Sequence, residues 1–436
     1  MADLSISLAG IQSPNPFWLA SGPPTNSGEL VSRAFDEGWG GCVWKTLGEP
    51  IVNVSSRFGA ISVGGQRMVG FNNIELITDR PLEDNLREIR DVKRRYPAHA
   101  MVVSIMEDSP ADWRELIRRV EDAGADGIEL NFGCPHGMCE RGMGSAVGQE
   151  PKVLSEITGW ARDATTLPVL VKLTPNVSDI LEPGLAAVAG GASGLSLINT
   201  IKSLAGVDLE RLVPMPVVGR RSTNGGYCGP AVKPIALHMV AALARDPRVT
   251  IPISGIGGIR TWRDAAEFIA LGATGVQVCT AVMHYGFRIV EDLIDGLSRY
   301  LDGMGMASVK DLCGRAVPAF TDWGDLDMNY RVVARIDEAA CIGCDLCYVA
   351  CRDGAVACIH LPERAAARSG GAGNGGPVPP RVPRIDEAAC IGCNLCSHVC
   401  PVDNCLSMVA LDEGKPFESW NDRGRAGRDH VPGGLR

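Results

Sequence analysis

Eight short apolar runs alternating with amphipathic segments, followed by two near-copies of one cysteine-rich run, predict an α/β chain. The expected architecture is a (β/α)8 TIM barrel followed by a C-terminal two-cluster, ferredoxin-like domain. Alternating strand and helix periods ask for a parallel sheet, and eight such units close it on itself. The duplicated run asks for a second domain of two similar halves.

The runs read as strands are FWLAS at 17–21, GCVWK at 41–45, MVVSI at 101–105, GIELN at 127–131, PVLVKL at 168–173, GLSLIN at 194–199, IPISG at 251–255 and GVQVC at 275–279. Most are near-continuous apolar stretches, as strands covered on both faces must be. Helical period appears between them: Trp113, Leu116, Ile117 and Val120 share one face of Asp112 to Ala123, and Trp262 to Leu271 is a second example. The longest connections follow the second and sixth strands. In this fold the loops at strand C-termini build the site, so the segment from Asn199 to Pro230 is expected to wall it.

The barrel is assigned to residues 1–305, and a linker without legible chemistry to 306–330. The second domain takes residues 331–412, where ARIDEAACIGCDLC at 334–347 returns as PRIDEAACIGCNLC at 383–396. Between the copies, RSGGAGNGGPVPP at 368–380 is too rich in Gly and Pro to be regular and reads as a loose insertion. The polar, Gly-rich stretch 413–436 is expected to be a flexible tail.

Composition narrows the function. With 45% hydrophobic and 21% charged residues in 436, the chain has the profile of a folded, loop-rich enzyme. A net charge of −9 argues against a nucleic-acid partner, which needs clustered Lys and Arg. No apolar run is long enough to cross a bilayer, and Met1 to Gly10 lacks the basic and apolar parts of a secretory signal. A cytoplasmic protein with no membrane partner is expected. Sixteen cysteines in such a chain predict thiolate ligands or catalytic thiols rather than disulfides.

Cys341, Cys344, Cys347 and Cys351 have the spacing C-x2-C-x2-C-x3-C, and Cys390, Cys393, Cys396 and Cys400 repeat it. This is the bacterial signature for [4Fe–4S] clusters, in which the fourth cysteine of each run reaches the other cluster. One cluster is therefore assigned Cys341, Cys344, Cys347 and Cys400, and the other Cys390, Cys393, Cys396 and Cys351. Structural zinc would take two ligands from each loop rather than three and a distant fourth. Arg352 stands where the second run has Pro401, a departure that removes no ligand. Cys358 and Cys405 read as core thiols. Clusters move single electrons, so a redox partner is expected in the barrel.

On the strand map Lys45, Asn131, Lys172 and Asn199 fall at one rim, the catalytic rim of this fold. SGIGGIR at 254–260 and Cys279-Thr280 follow the last two strands, where barrels often cradle a phosphate on backbone N–H groups. A phosphate there and lysines on the second and fifth strands suit FMN, with a cation near the flavin N1–C2 region. No strand–GxGxxG–helix unit is present, so a nicotinamide donor is expected on another chain. After the fourth strand, NFGCPHGM at 131–138 places Cys134 on a Gly-bounded loop, a candidate general acid. His136 is an alternative donor that reads better as structural, and Cys139 as a bystander.

These residues resemble the dihydropyrimidine dehydrogenase family over nearly the whole chain. The likeness rests on ASGPPT at 20–25, KT at 45–46, NIELI at 73–77, ELNFGCPHGM at 129–138, VKLTPN at 171–176, INT at 198–200 and the cysteine runs. By resemblance, Ala20, Ser21, Lys45, Thr46, Lys172, Gly229, Gly257, Gly258, Cys279 and Thr280 would contact FMN. Asn73, Glu75, Asn131, Asn199 and Thr200 would hold uracil or thymine, whose edges need both donors and acceptors. Cys134 aligns with the family's proton-donating cysteine, and Gly133 departs from the Ser of the mammalian form. The resemblance further implies reduction of the pyrimidine 5,6-double bond, with electrons from NAD(P)H and FAD on a partner subunit in a heterotetramer or dimer of heterodimers. Two other readings are a dihydroorotate dehydrogenase-like enzyme and an electron-transfer subunit with an inactive barrel.

Overall fold

The computed structural model describes residues 2–48, 52–362 and 381–428; the expected insertion at 368–380 and the end of the tail lie outside the described residues. Two compact units emerge, Met1–Phe320 and Thr321–Arg436.

In the first unit all eight expected strands form, with ends within two residues of the sequence reading: β1 Phe17–Leu19, β2 Gly41–Leu47, β3 Ala100–Ile105, β4 Gly127–Asn131, β5 Val169–Lys172, β6 Gly194–Leu197, β7 Ile253–Ile256 and β8 Ala273–Val278. They pair in chain order into a closed parallel barrel, β8 returning to β1. The intervening helices are α1 Gly28–Glu37, α2 Leu82–Arg95, α3 Pro110–Asp122, α4 Pro151–Ala164, α5 Leu181–Ala189, α6 Lys233–Arg245, α7 Trp262–Ala270 and α8 Ile289–Gly303. Local chemistry starts several of them. Ser27 and Ser109 accept a backbone N–H at their helix N-termini, and Thr261 with Asp264 forms a capping box.

A hairpin of Ile6–Leu8 and Ile11–Ser13 packs against the barrel strands. A Cβ on Gly127 would come 2.6 Å from the Ile11 side chain, and one on Gly275 2.8 Å from that of Ile6. Glycine at these two points is what lets the hairpin approach so closely. The two long connections, expected only as loops, join in a four-stranded antiparallel sheet of Phe58–Val63, Gln66–Asn73, Gly225–Cys228 and Ile201–Ser203. This sheet carries residues from both loops to the mouth of the barrel.

Two boundaries move. The first part of the expected linker 306–330, up to Phe320, falls in the barrel unit: Val309 and Leu312 are buried in its core, and the Gly314 and Ala316 N–H groups bond to the Ile269 and Ala270 carbonyls. Short 3-10 turns replace a helix over Val309–Asp311 and Val317–Ala319, which is why helical period faded there. The tail expected from 413 is ordered in part, with a helix at Trp420–Arg428. The Met328 N–H donates to the Glu418 carbonyl, and Asn329 Nδ2 to the Pro416 carbonyl at 2.8 Å.

The second unit is two similar halves. Arg331–Ile336 pairs antiparallel with Leu406–Leu411, and Ile359–His360 with Arg384–Ile385. The repeated cysteine loops share one backbone path: Gly343 and Gly392 have φ of 68° and 69°, Asp345 and Asn394 of 61° and 64°.

Candidate active site and cluster cavities

A cleft of about 1280 Å3, its open mouth included, lies at the C-terminal ends of the barrel strands. Every residue expected at FMN or the pyrimidine lines it. Ala20 and Ser21 follow β1; Lys45 and Thr46 lie in β2; Asn73 and Glu75 come from the mouth sheet and its exit; Asn131 ends β4, with Cys134 just beyond. Lys172 ends β5, Asn199 and Thr200 follow β6, Gly229 precedes α6, Gly257 and Gly258 follow β7, and Cys279 and Thr280 follow β8.

Beneath the cleft the barrel interior is polar. Glu129 is fully buried; its Oε2 accepts Ser196 Oγ at 2.7 Å and Gln277 Nε2 at 3.3 Å, and its Oε1 lies 3.5 Å from Lys172 Nζ. That carboxylate balances a lysine otherwise stranded among apolar strands. Glu129 escaped the sequence reading, although it shares a strand face with Asn131 two residues on, which was the available signal.

At the mouth a second carboxylate organises the charges. Glu75 Oε1 lies 3.0 Å from Lys45 Nζ and 2.9 Å from Arg57 Nη1. Lys45 Nζ is buried, and despite that distance no hydrogen bond of good geometry forms, so its N–H donors remain for a ligand in the cleft. Arg57, half-buried on the loop before the mouth sheet, carried no sequence signal.

The amide residues form a chain. Asn199 Nδ2 donates to Asn131 Oδ1 at 2.9 Å, Asn131 Nδ2 donates to Thr46 Oγ1 at 2.9 Å, and the Thr200 N–H donates to Asn199 Oδ1 at 2.8 Å. Gly133 makes this possible: a Cβ there would sit 2.3 Å from Asn199 Cβ. The departure at Gly133 is thus a matter of room for Asn199, as well as of an absent hydroxyl.

Cys134 is 9% exposed, and burial pushes its thiol up to about 11. It is therefore protonated at neutral pH, the state a proton donor needs. Its Sγ donates to the His136 carbonyl at 3.4 Å. Burial lowers the His136 pKa, and its Nε2 lies 3.1 Å from the Glu75 carbonyl. A carbonyl only accepts, so the neutral ring carries its proton on Nε2 and ties the Cys134 loop to the mouth.

At the far end, Gly229, Gly257 and Gly258 have φ of 92°, 131° and 76°. A Cβ on Gly258 would lie 2.9 Å from the Lys233 nitrogen. Lys233 Nζ reaches Asp264 at 2.7 Å, and Asp264 accepts the Arg260 and Thr261 N–H groups, which clamps the two Gly loops together. Burial drives the Cys279 thiol up to about 12, leaving a neutral surface there. Close-approach glycines at one end and a buried ammonium with unspent donors at the other fit FMN.

In the second unit, one cavity is lined by Cys341, Cys344, Cys347 and Cys400, with Cys405. Another is lined by Cys351, Cys390, Cys393 and Cys396, with Cys358. Each gathers three cysteines of one run and the fourth of the other.

Residues 3–301 match the family model described as dihydroorotate dehydrogenase, and residues 334–408 that of a 4Fe-4S dicluster domain. The chain belongs to the dihydroorotate dehydrogenase family of flavin-dependent oxidoreductases and, within it, to the dihydropyrimidine dehydrogenase type that adds an iron–sulfur domain. It is 44% identical to the NAD-dependent dihydropyrimidine dehydrogenase subunit PreA of Escherichia coli, over 93% of this chain and 95% of that one. It is 42% identical to the chloroplastic dihydropyrimidine dehydrogenase (NADP(+)) of Arabidopsis thaliana, over 74% of this chain and 79% of the relative. The catalytic subunit of dihydroorotate dehydrogenase B (NAD(+)) of Pyrococcus abyssi is 39% identical, over 72% of this chain and 99% of its own. Among the described residues no helix is long and apolar enough to cross a membrane.

Proposed function

We propose that this chain reduces the 5,6-double bond of uracil or thymine, with electrons from an FAD- and NAD(P)H-binding partner subunit. The observation that carries the proposal is the convergence in one cleft of a buried, protonated Cys134 thiol with Asn73, Glu75, Asn131, Asn199 and Thr200. Bound FMN supplies hydride chemistry at its N5, directed at the pyrimidine C6. Cys134 Sγ gives its proton to C5, and the two additions saturate the bond.

The remaining roles fall to positioned side chains. Asn131, Asn199 and Thr200 present amide and hydroxyl groups to the alternating N–H and C=O edges of the ring. Glu75 orders the mouth by accepting a hydrogen bond from Arg57 and setting a negative charge beside Lys45, an arrangement that disfavours a carboxylated pyrimidine such as orotate. Lys172, its charge balanced by Glu129, faces the flavin, and Gly229, Gly257 and Gly258 leave backbone N–H groups clear for its phosphate. Cys341, Cys344, Cys347 and Cys400 hold one [4Fe–4S] cluster, and Cys390, Cys393, Cys396 and Cys351 the other, which relay single electrons.

The test is anaerobic co-purification with the neighbouring reductase subunit, flavin and iron analysis, and comparison of uracil with orotate turnover. Uracil or thymine reduction with little orotate turnover is expected. Preferential turnover of orotate would assign the chain to the dihydroorotate reaction, and clusters without flavin to electron transfer alone.

A further inference from the structure

Each cluster cavity is lined by a fifth cysteine, and the two fifth cysteines occupy corresponding places. Cys358 Sγ lies 3.7 Å from Cys351 Sγ and in reach of Cys390. Cys405 lies in the same relation to Cys400 and Cys341. In both halves the fifth cysteine thus stands beside the first ligand of one run and the ligand that crosses from the other.

The backbone repeats the correspondence. The Cys358 carbonyl accepts the Asp386 N–H, and the Cys405 carbonyl the Asp337 N–H, each Asp standing four residues before the first cysteine of a run. Cys358 immediately precedes the strand Ile359–His360, and Cys405 the strand Leu406–Leu411. Yet the offsets from the crossing ligands differ, 351 to 358 against 400 to 405, because the connecting loops differ in length. Two unequal loops therefore deliver a thiol to one equivalent point. Buried cysteine commonly fills space as a small apolar residue, but a filler has no need of its sulfur beside two ligand sulfurs in both halves.

We infer that Cys358 and Cys405 are reserve iron ligands, each able to replace the crossing ligand, Cys351 or Cys400, on its cluster. The inference rests on the ligand assignment proposed above. In the exchange the Fe–S bond to Cys351 breaks and one to Cys358 forms. The Cys358 proton leaves to solvent, the freed Cys351 thiolate takes one up, and no electron moves. A change of χ1 between staggered wells carries a cysteine sulfur about 3 Å, most of the 3.7 Å between the Cys358 and Cys351 sulfurs, without moving the backbone. Both reserve thiols are nearly fully buried, at 4% and 3% exposure, so they are shielded from the oxidants that would consume an exposed one.

The test uses the full chain, reconstituted anaerobically with iron and sulfide. Iron per flavin and the electron paramagnetic resonance spectrum of the reduced protein are compared for wild type, Cys351→Ala and the double variant Cys351→Ala/Cys358→Ala, with the Cys400 and Cys405 set in parallel. The single variants should keep the full iron complement with an altered spectrum, and the double variants should lose half of it. Loss of half the iron already in Cys351→Ala, or equal iron in single and double variants, overturns the inference. Alkylation guards against misfolding of the double variant: in Cys351→Ala, Cys358 should resist iodoacetamide until iron is chelated, and unchanged labelling on chelation also overturns it. Wild type devoid of iron is a distinct result, which removes the cluster assignment and the inference with it.

Discussion

Lys172 and Glu129 offer the sharpest test of the site, because each is buried and each is the other's opposite charge. Lys172→Met removes the ammonium and strands a carboxylate whose Oε1 has no hydrogen-bond donor. At the 3.5 Å separation, Coulomb's law gives about 5 kcal/mol at an effective dielectric of 20. Breaking one side of a buried pair costs about 3–5 kcal/mol in practice, since the survivor keeps its desolvation penalty. Glu129→Gln keeps the shape and an acceptor for Ser196 but strands the lysine in the same way. The double variant strands neither charge and should lose much less than the sum, a coupling of about 3 kcal/mol. Urea unfolding of flavin-free protein, followed through the buried indoles of Trp18, Trp39, Trp44 and Trp113, reads the barrel. Single-variant losses that add to the double within about 0.5 kcal/mol would refute the pairing as the reason Lys172 is tolerated inside the barrel.

Further predictions concern the chemistry at the mouth. Cys134→Ala should lower uracil reduction by about 10²–10⁴-fold while flavin content stays intact, and full activity in that variant would move the proton source elsewhere. The wild-type thiol is the active, protonated form and its pKa is raised to about 11, so its donation should persist past the ordinary thiol range and fail only as pH rises toward that value. Burial holds the His136 pKa below the ordinary imidazole range, so a donor-dependent fall on the acid side of neutrality in the rate profile would instead give the role to His136. Glu75→Gln should weaken the tie to Arg57 and remove the negative charge beside Lys45, weaken uracil binding about 10-fold and strengthen orotate binding; equal affinity for both ligands before and after substitution contradicts this. Gly133→Ser puts a Cβ into Asn199 and should cost about 1–3 kcal/mol, read as weaker pyrimidine binding by flavin difference spectra with flavin retained.

Much of this protein is legible without its structure. Strands covered on both faces are written as continuous apolar runs, so all eight appear in the sequence and close into the barrel in chain order. The cysteine spacing is equally direct, since three thiolates on one tight loop are a local geometric requirement. Residues such as Lys45, Asn131 and Lys172 could be placed at the rim because strand ends map onto one face of this fold.

What the tertiary structure alone decided are the relations between segments far apart in the chain. Glu129 pairs with Lys172 across adjacent strands, and Arg57 and Lys45 meet at Glu75 through a loop and a mouth sheet that no local period announces. The stretch 306–320 joins the barrel because Val309 and Leu312 find buried partners there, while its own short turns carry no repeating pattern. Cys358 and Cys405 read as separate core thiols until folding set them at equivalent points of two cavities. A local pattern is fixed by the backbone geometry of neighbouring residues, whereas a charge partner or a shared cavity depends on distances that exist only once the chain has closed on itself.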